Sequence, residues 1–193
     1  IEAAIRERVK DGTPLFGICG GYQMLGRVVR DPLHTESEYD ETAGFAYLPI
    51  ETTFAAHKRL RQVTALAELS FLGTQISGAN LQGYEIHMGE TRFVEDVHRP
   101  FHIISAGGTA IDVPDGAVSA DGLVMGTYIH GVFDDDNFRR DLLNCLRVRR
   151  GCEETSVQHR YREAKERAYD RLAETVRASI DIDKLRAIME GSR

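Results

Sequence analysis

Cys19 stands between an apolar run and two glycines. Pro14-Leu15-Phe16-Gly17-Ile18 leads into Cys19-Gly20-Gly21, and Tyr22 to Val29 follows with helical spacing. That order reads as a strand, a sharp turn and a helix, with the cysteine at the turn. Small flanking residues let the backbone adopt a strained turn that lifts a reactive side chain clear of the sheet, the geometry of a nucleophile elbow. A helix N-terminus next to the sulfur also favours the thiolate, which is the reactive form. Such a nucleophile needs a base that takes up and returns a proton, and histidine suits that task near neutral pH. Of the seven histidines, His130 is best placed. It ends an apolar strand, Leu123 to Ile129, and enters a turn at Gly131, and strand ends are where α/β sheets gather their active residues. His34, His57, His98 and His159 lie in polar surroundings and read as surface residues, while His102 suits a core or a site equally well.

Metal chemistry has little to stand on. There is no His-Glu-x-x-His or Cys-x-x-Cys pattern, and Pro100 spoils helical presentation of His98 with His102. No Gly-x-x-x-x-Gly-Lys-Ser/Thr loop occurs either, so ATP chemistry is expected elsewhere, and no cofactor is expected to bind this chain.

The elements that must hold Cys19 and His130 read as an α/β fold, a mostly parallel sheet flanked by helices. Ile1 to Lys10 is an amphipathic helix with Ile1, Ile5 and Val9 on one face, ended by Asp11-Gly12-Thr13-Pro14. A parallel sheet normally carries strands ahead of its elbow. None precedes this one, so the N-terminal part of the domain is expected to be missing. Asp31 to Ala43 is rich in turn formers and reads as a surface loop. Phe45 to Phe54 with its Pro49 bend, Arg61 to Leu66, Gln75 to His87 and Glu90 to Val94 are strand signals, expected to form an antiparallel excursion around residues 44 to 94. Ala117 to Ala120 and Leu123 to Ile129 flank a hairpin turn at Asp121-Gly122. From 134 to 193 the pattern is helical. Phe138, Leu142, Leu143 and Leu146 make one apolar face behind the acidic start Asp134 to Asp136, and further helices are expected over Glu163 to Ser179 and Asp183 to Glu190.

Length allows one substantial domain, 1–193. The net charge of −6 comes from interspersed charges with no basic stripe, which argues against nucleic acid. No apolar stretch has the length of a membrane span and no signal peptide is read, so no membrane partner is expected. Three cysteines, Cys19, Cys145 and Cys152, are an odd number and suit a reducing, cytoplasmic setting better than a disulfide framework.

Gly17-Ile18-Cys19-Gly20-Gly21-Tyr22-Gln23-Met24-Leu25-Gly26 resembles the nucleophile motif of class I (triad-type) glutamine amidotransferases, a flavodoxin-like three-layer fold. More narrowly it looks like the cobyric acid synthase branch. Gly83-Tyr84-Glu85-Ile86-His87-Met88-Gly89 and Gly126-Thr127-Tyr128-Ile129-His130-Gly131-Val132-Phe133-Asp134 resemble that branch in the same order, as does the ending Tyr169-Asp170-Arg171-Leu172-Ala173.

The resemblance implies that Cys19 attacks the side-chain amide of glutamine and that His130 shuttles the proton. The backbone N–H of Gly20 would be one oxyanion donor, and Gln23 would help hold glutamine. The second oxyanion donor of such enzymes lies in a glycine loop upstream of the cysteine, so the chain alone is expected to be a poor glutaminase. Most triad enzymes place a glutamate two residues after the histidine. Here that position is Val132, as in the branch it resembles, which leaves a Cys–His dyad with Glu85 or a backbone carbonyl as a possible orienting group. Glu85 and His87 could instead contact substrate or a partner domain, or simply hold a hairpin. The partners implied are glutamine and an N-terminal, ATP- and Mg²⁺-dependent synthetase domain of the same polypeptide, with a corrinoid substrate mainly outside this chain. A related ligase such as cobyrinic acid a,c-diamide synthase, or a non-catalytic docking module, would look much alike.

Overall fold

Leu15 to Ile18 is short, apolar and free of charge, as a strand buried between neighbours must be. In the computed structural model, which describes residues 1–157 and 159–191 and all their side chains but those of His57 and Lys58, it is such a strand. The order is α1 (Glu2–Lys10), β1 (Leu15–Ile18), α2 (Gly20–Met24), β2 (Val28–Arg30), β3 (Glu41–Ala43), β4 (Ile50–Phe71), β5 (Thr74–Phe93), β6 (Phe101–Ala106), β7 (Thr109–Asp115), β8 (Ala117–Val118), β9 (Val124–Thr127), β10 (Ile129–His130), α3 (Asp136–Arg149), α4 (Tyr161–Ser179) and α5 (Ile182–Met189). The chain divides into two units, the first ending at Val157. The second carries α4 and α5, with Asp181 capping α5 by accepting the N–H of Lys184 at 2.9 Å.

Among the described residues the first unit has a three-stranded sheet in the order β1-β9-β8 and a seven-stranded sheet built on β10-β5-β4-β2-β3, with β6 added to β4 and β7 to β6. The α/β class is as expected, but the pairing is mixed rather than mostly parallel. Only β1 with β9 and β2 with β4 run parallel. The reason is local: two-residue turns at Leu72-Gly73 and Gly107-Gly108 fold each strand straight back on the last, whereas a parallel return needs a long crossover. The antiparallel excursion is therefore larger than 44 to 94 and reaches Asp115.

Three other expectations change. The elbow helix stops at Met24, and Val28 and Val29, both β-branched, join the sheet instead. The stretch expected to be a loop between Asp31 and Ala43 ends in β3, paired with β2. In α3 the buried face is Phe138, Leu142 and Cys145, while Leu143 lies outward at 48% exposure. Asp135 caps this helix, accepting the Phe138 N–H at 2.8 Å.

Two apolar clusters fill the first unit. Leu69, Phe101, Ile103, Met125, Ile129, Val132 and Phe138 belong to the larger, and Tyr22, Leu25, Leu48, Ile50 and Val124 to the smaller one, which lies at the elbow. Close approach at the elbow depends on two glycines that face each other across the parallel pair, Gly17 and Gly126. A Cβ on Gly17 would sit 2.7 Å from the Gly21 backbone, and one on Gly126 would sit 2.3 Å from the Tyr22 ring. Among the described residues no helix is long and apolar enough to cross a membrane.

This contact yields a stability test. Gly126→Ala drives a methyl into a buried ring and is expected to cost about 1–3 kcal/mol in urea unfolding. Gly21→Ala, where a Cβ would meet nothing within 4 Å, should cost nothing or stabilise by up to about 1 kcal/mol, because alanine is the better helix former.

Candidate active site

Cys19 occupies the strand–helix junction with φ 54° and ψ −113°, a backbone conformation that non-glycine residues rarely adopt. Its N–H donates to Thr127 O at 2.9 Å, which extends the β1–β9 ladder by one bond, and its carbonyl accepts the Gln23 N–H at 3.0 Å as α2 begins. The side chain is half-buried, with Sγ 3.4 Å from Ile86 O on β5. Gly20 and Gly21 are exposed, and a Cβ at either would meet nothing within 4 Å.

His130 borders the same stretch of β5. Ile129 and His130 pair antiparallel with Glu85 and Tyr84, and the His130 ring stacks on Tyr84 with centroids 4.9 Å apart at 11°. Its Nε2 is buried with no hydrogen-bond partner among the described residues. Burial and then the neighbouring His87 push its pKa below the usual histidine value, so the imidazole stays neutral and able to accept a proton. Tyr84 to His87 is thus the wall shared by Cys19 and His130.

Glu85 and His87 are both buried. Glu85 pairs with Arg61 through a short contact and lies 3.7 Å from His87 Nε2. Burial alone would raise the Glu85 carboxyl, but His87 and Arg61 outweigh it and hold it below its ordinary value. Its partners are therefore on the hairpin, and the orienting role toward His130 finds no contact here. Val132 is fully buried in the apolar core. His87 Nδ1 lies 2.8 Å from Gly89 O, so that nitrogen carries a proton and donates it to the carbonyl.

Gln23 is buried, its amide nitrogen donating to the Tyr128 hydroxyl at 3.3 Å. Tyr128 lies 2.6 Å from Thr91 Oγ1, which in turn is 3.0 Å from Thr52 Oγ1. The Tyr128 ring is stacked on His87 at 3.9 Å and meets the Tyr22 edge at 5.1 Å. Asp115, also buried, accepts the Thr127 hydroxyl in a short bond and the Tyr128 N–H at 3.3 Å. Burial pushes the Asp115 carboxyl above its usual range despite these bonds. Tyr22, Arg61, Glu85, His87, Asp115 and Tyr128 help line a cavity of about 350 Å³ beside the elbow.

Sequence reasoning missed Tyr128, Thr91, Thr52 and Asp115. Tyr128 carried a signal, since it stands two residues before His130 in the same strand region. The other three carried none, because their partners are distant in sequence. Of the remaining histidines, His34, His98 and His159 are exposed and His102 is half-buried, while the side chain of His57 lies outside the described residues. No group of three His, Cys, Asp or Glu among the described residues is placed to hold a metal ion.

Residues 1–138 match the family model for the CobB/CobQ-like glutamine amidotransferase domain. A protein of Streptococcus sanguinis named cobyric acid synthase is 44% identical over 191 residues, a match covering 98% of this chain and 36% of that protein. Cobyric acid synthase of Moorella thermoacetica is 42% identical, with 98% and 37% covered. The chain spans little more than a third of the length of these relatives. Among solved structures, that of PurLQS from Thermotoga maritima aligns with a TM-score of 0.54 at 16% identity, over 76% of this chain and 68% of that one. At that identity the likeness concerns the fold alone.

With His130 held neutral, the acid limb of Cys19-dependent hydrolysis is expected below about pH 6.5. In His87→Gln one of the two causes is removed, so the limb should move up toward that value while burial still keeps it lower. A pH–rate profile of kcat/KM measures this, and an unmoved limb in the variant would remove His87 from the account.

Proposed function

The chain belongs to the CobB/CobQ-like glutamine amidotransferase family, and from that premise we propose that it is the glutaminase part of a cobyric acid synthase. Cys19 is the nucleophile. Its sulfur adds to the side-chain carbonyl of glutamine, and the oxygen that becomes negative is met by the Gly20 N–H. The C–N bond then breaks as His130 returns the proton to the departing nitrogen, leaving a glutamyl thioester and ammonia. Water, activated by the same histidine, cleaves the thioester to glutamate and restores the thiol. Gln23 holds the substrate glutamine. Cys19 and His130 work as a dyad, because position 132 is an apolar core residue.

The ammonia would amidate peripheral carboxylates of adenosylcobyrinic acid a,c-diamide in a synthetase domain of the same cytoplasmic polypeptide. ATP and Mg²⁺ would activate the carboxylates there, outside this chain. Housing the two reactions in one polypeptide limits loss of ammonia to water. The observation that carries the reading is the left-handed backbone of Cys19 at the strand–helix junction. A purely packing cysteine has no use for a strained position next to two exposed glycines.

In the natural polypeptide that contains this chain, Cys19→Ala is expected to lower glutamate release by at least about a thousandfold. Glutamine-dependent amidation of the corrinoid should be lost with it, while amidation from added ammonium chloride persists. Glutamate release unchanged in the variant would sink the nucleophile assignment. Loss of the ammonium-driven reaction as well would mean that Cys19 serves the architecture rather than the hydrolysis.

A further inference from the structure

We infer that Tyr128 is a positioning residue for glutamine recognition, its hydroxyl fixing which end of the Gln23 amide is offered to the substrate. The inference rests on the glutaminase reading above and adds to it a residue.

The Gln23 amide is buried, and its nitrogen donates to Tyr128 Oη at 3.3 Å. Burial raises the pKa of the Tyr128 hydroxyl, so it keeps its proton. The same hydroxyl lies 2.6 Å from Thr91 Oγ1, which in turn lies 3.0 Å from Thr52 Oγ1. These contacts run from α2 into the β4–β5 hairpin. The bond from Gln23 engages one N–H of its amide and leaves Oε1 as the acceptor end. An acceptor oxygen one helical turn from the Cys19 backbone selects a substrate group with N–H bonds, as in a primary amide or an α-ammonium.

Tyr128 is held firmly enough to enforce this. Its ring is stacked on His87 and met edge-on by Tyr22, and its N–H is bound by the Asp115 carboxylate. Gly89 supplies the room: a Cβ there would lie 2.4 Å from Gln23 Nε2 and 2.6 Å from the Thr52 methyl. The amide is therefore confined between a fixed hydroxyl and a bare stretch of backbone. A rotated Gln23 would have to break the Tyr128 bond inside a buried site, where an unpaired amide is costly.

The test is a double-mutant cycle in the natural polypeptide, read by glutamine hydrolysis. Tyr128→Phe keeps the ring and its stacking and removes only the hydroxyl. It is expected to raise KM for glutamine about 3- to 10-fold with kcat within about twofold, the size of one hydrogen bond. In a Gln23→Ala background the same change should add nothing, because a residue acting through Gln23 has nothing left to orient. Thr91→Val, one bond further out, should raise KM in the same direction by less, and it tests the relay independently should Tyr128→Phe fold poorly. Additive effects in the cycle, or a fall in kcat with KM unchanged, overturn the inference. Additivity with robust wild-type hydrolysis removes the role of Tyr128 alone, whereas wild-type protein that releases no glutamate removes the glutaminase reading and this one together.

Discussion

The site depends on one backbone conformation that cysteine does not favour. Holding a non-glycine residue in a sparsely populated region costs about 1–3 kcal/mol, and such strain persists only where its surroundings over-determine it. At Cys19 they do. The parallel ladder from Leu15 to Ile18 continues into the bond from Cys19 N to Thr127 O, and α2 starts at once on the Cys19 carbonyl. Gly17 and Gly126 let strand, helix and the Tyr22 ring approach closely enough for both to hold together. This constraint ties residues 15–25 to residues 124–128, so the segment with Cys19 and the segment leading to His130 are built as one unit.

A second consequence concerns charge. The strip made by Gln23, Thr52, Glu85, His87, Thr127, Tyr128 and Asp115 is polar, buried and tightly bonded, and each unpaired group in such a place would cost stability. Glu85 has its charge balanced by Arg61 and His87. A carboxylate engaged in that way is not available to orient His130, and Val132 cannot substitute for one. The imidazole is instead held by strand pairing and by the Tyr84 ring, with no anion to stabilise its protonated form. That arrangement keeps the imidazole neutral.

The elbow was legible because its signal is local: apolar run, cysteine, two glycines. His130 was legible for the same reason, as a histidine closing an apolar strand before a glycine. Antiparallel pairing around residues 44 to 94 was legible too, but its continuation to Asp115 was not, because strand propensity does not choose a neighbour and the two-residue turn at Gly107-Gly108 decides it. The length of α2 was also hidden. Tyr22 to Val29 has helical spacing, yet Gly26 packs so closely on Ile50 that a Cβ would sit 2.7 Å from its carbonyl, and the chain leaves the helix there for the sheet. Thr52, Thr91 and Asp115 were illegible in principle. Threonine and aspartate are common on strands and turns, and what sets these three apart is a partner 12 to 39 residues away.

Strand β5 brings these parts together, and its alternation explains how. Glu85, His87 and Gly89 are buried, while Ile86 and Met88 between them are half-buried and Tyr84 before them is exposed. The first set contacts the polar strip; from the second come the Tyr84 ring on His130 and the Ile86 carbonyl on Cys19 Sγ. Because side chains alternate with period two, a slip of one residue in the β4–β5 ladder would exchange the two sets, burying Tyr84 and Ile86 and turning Glu85 and His87 out. The irregularity between Phe54 and Arg59 works against such a slip. There the ladder passes from Phe54 opposite Gly89 to Arg59 opposite His87, so five steps on one strand match two on the other. Surplus residues at that point let the register on both sides be set independently: by Thr52 against Thr91 on one side, and by Arg61 against Glu85 on the other. The same two contacts that fix the hairpin are thus the outer ends of the polar strip behind Cys19, so a fault in strand register and a fault in the site would be one event.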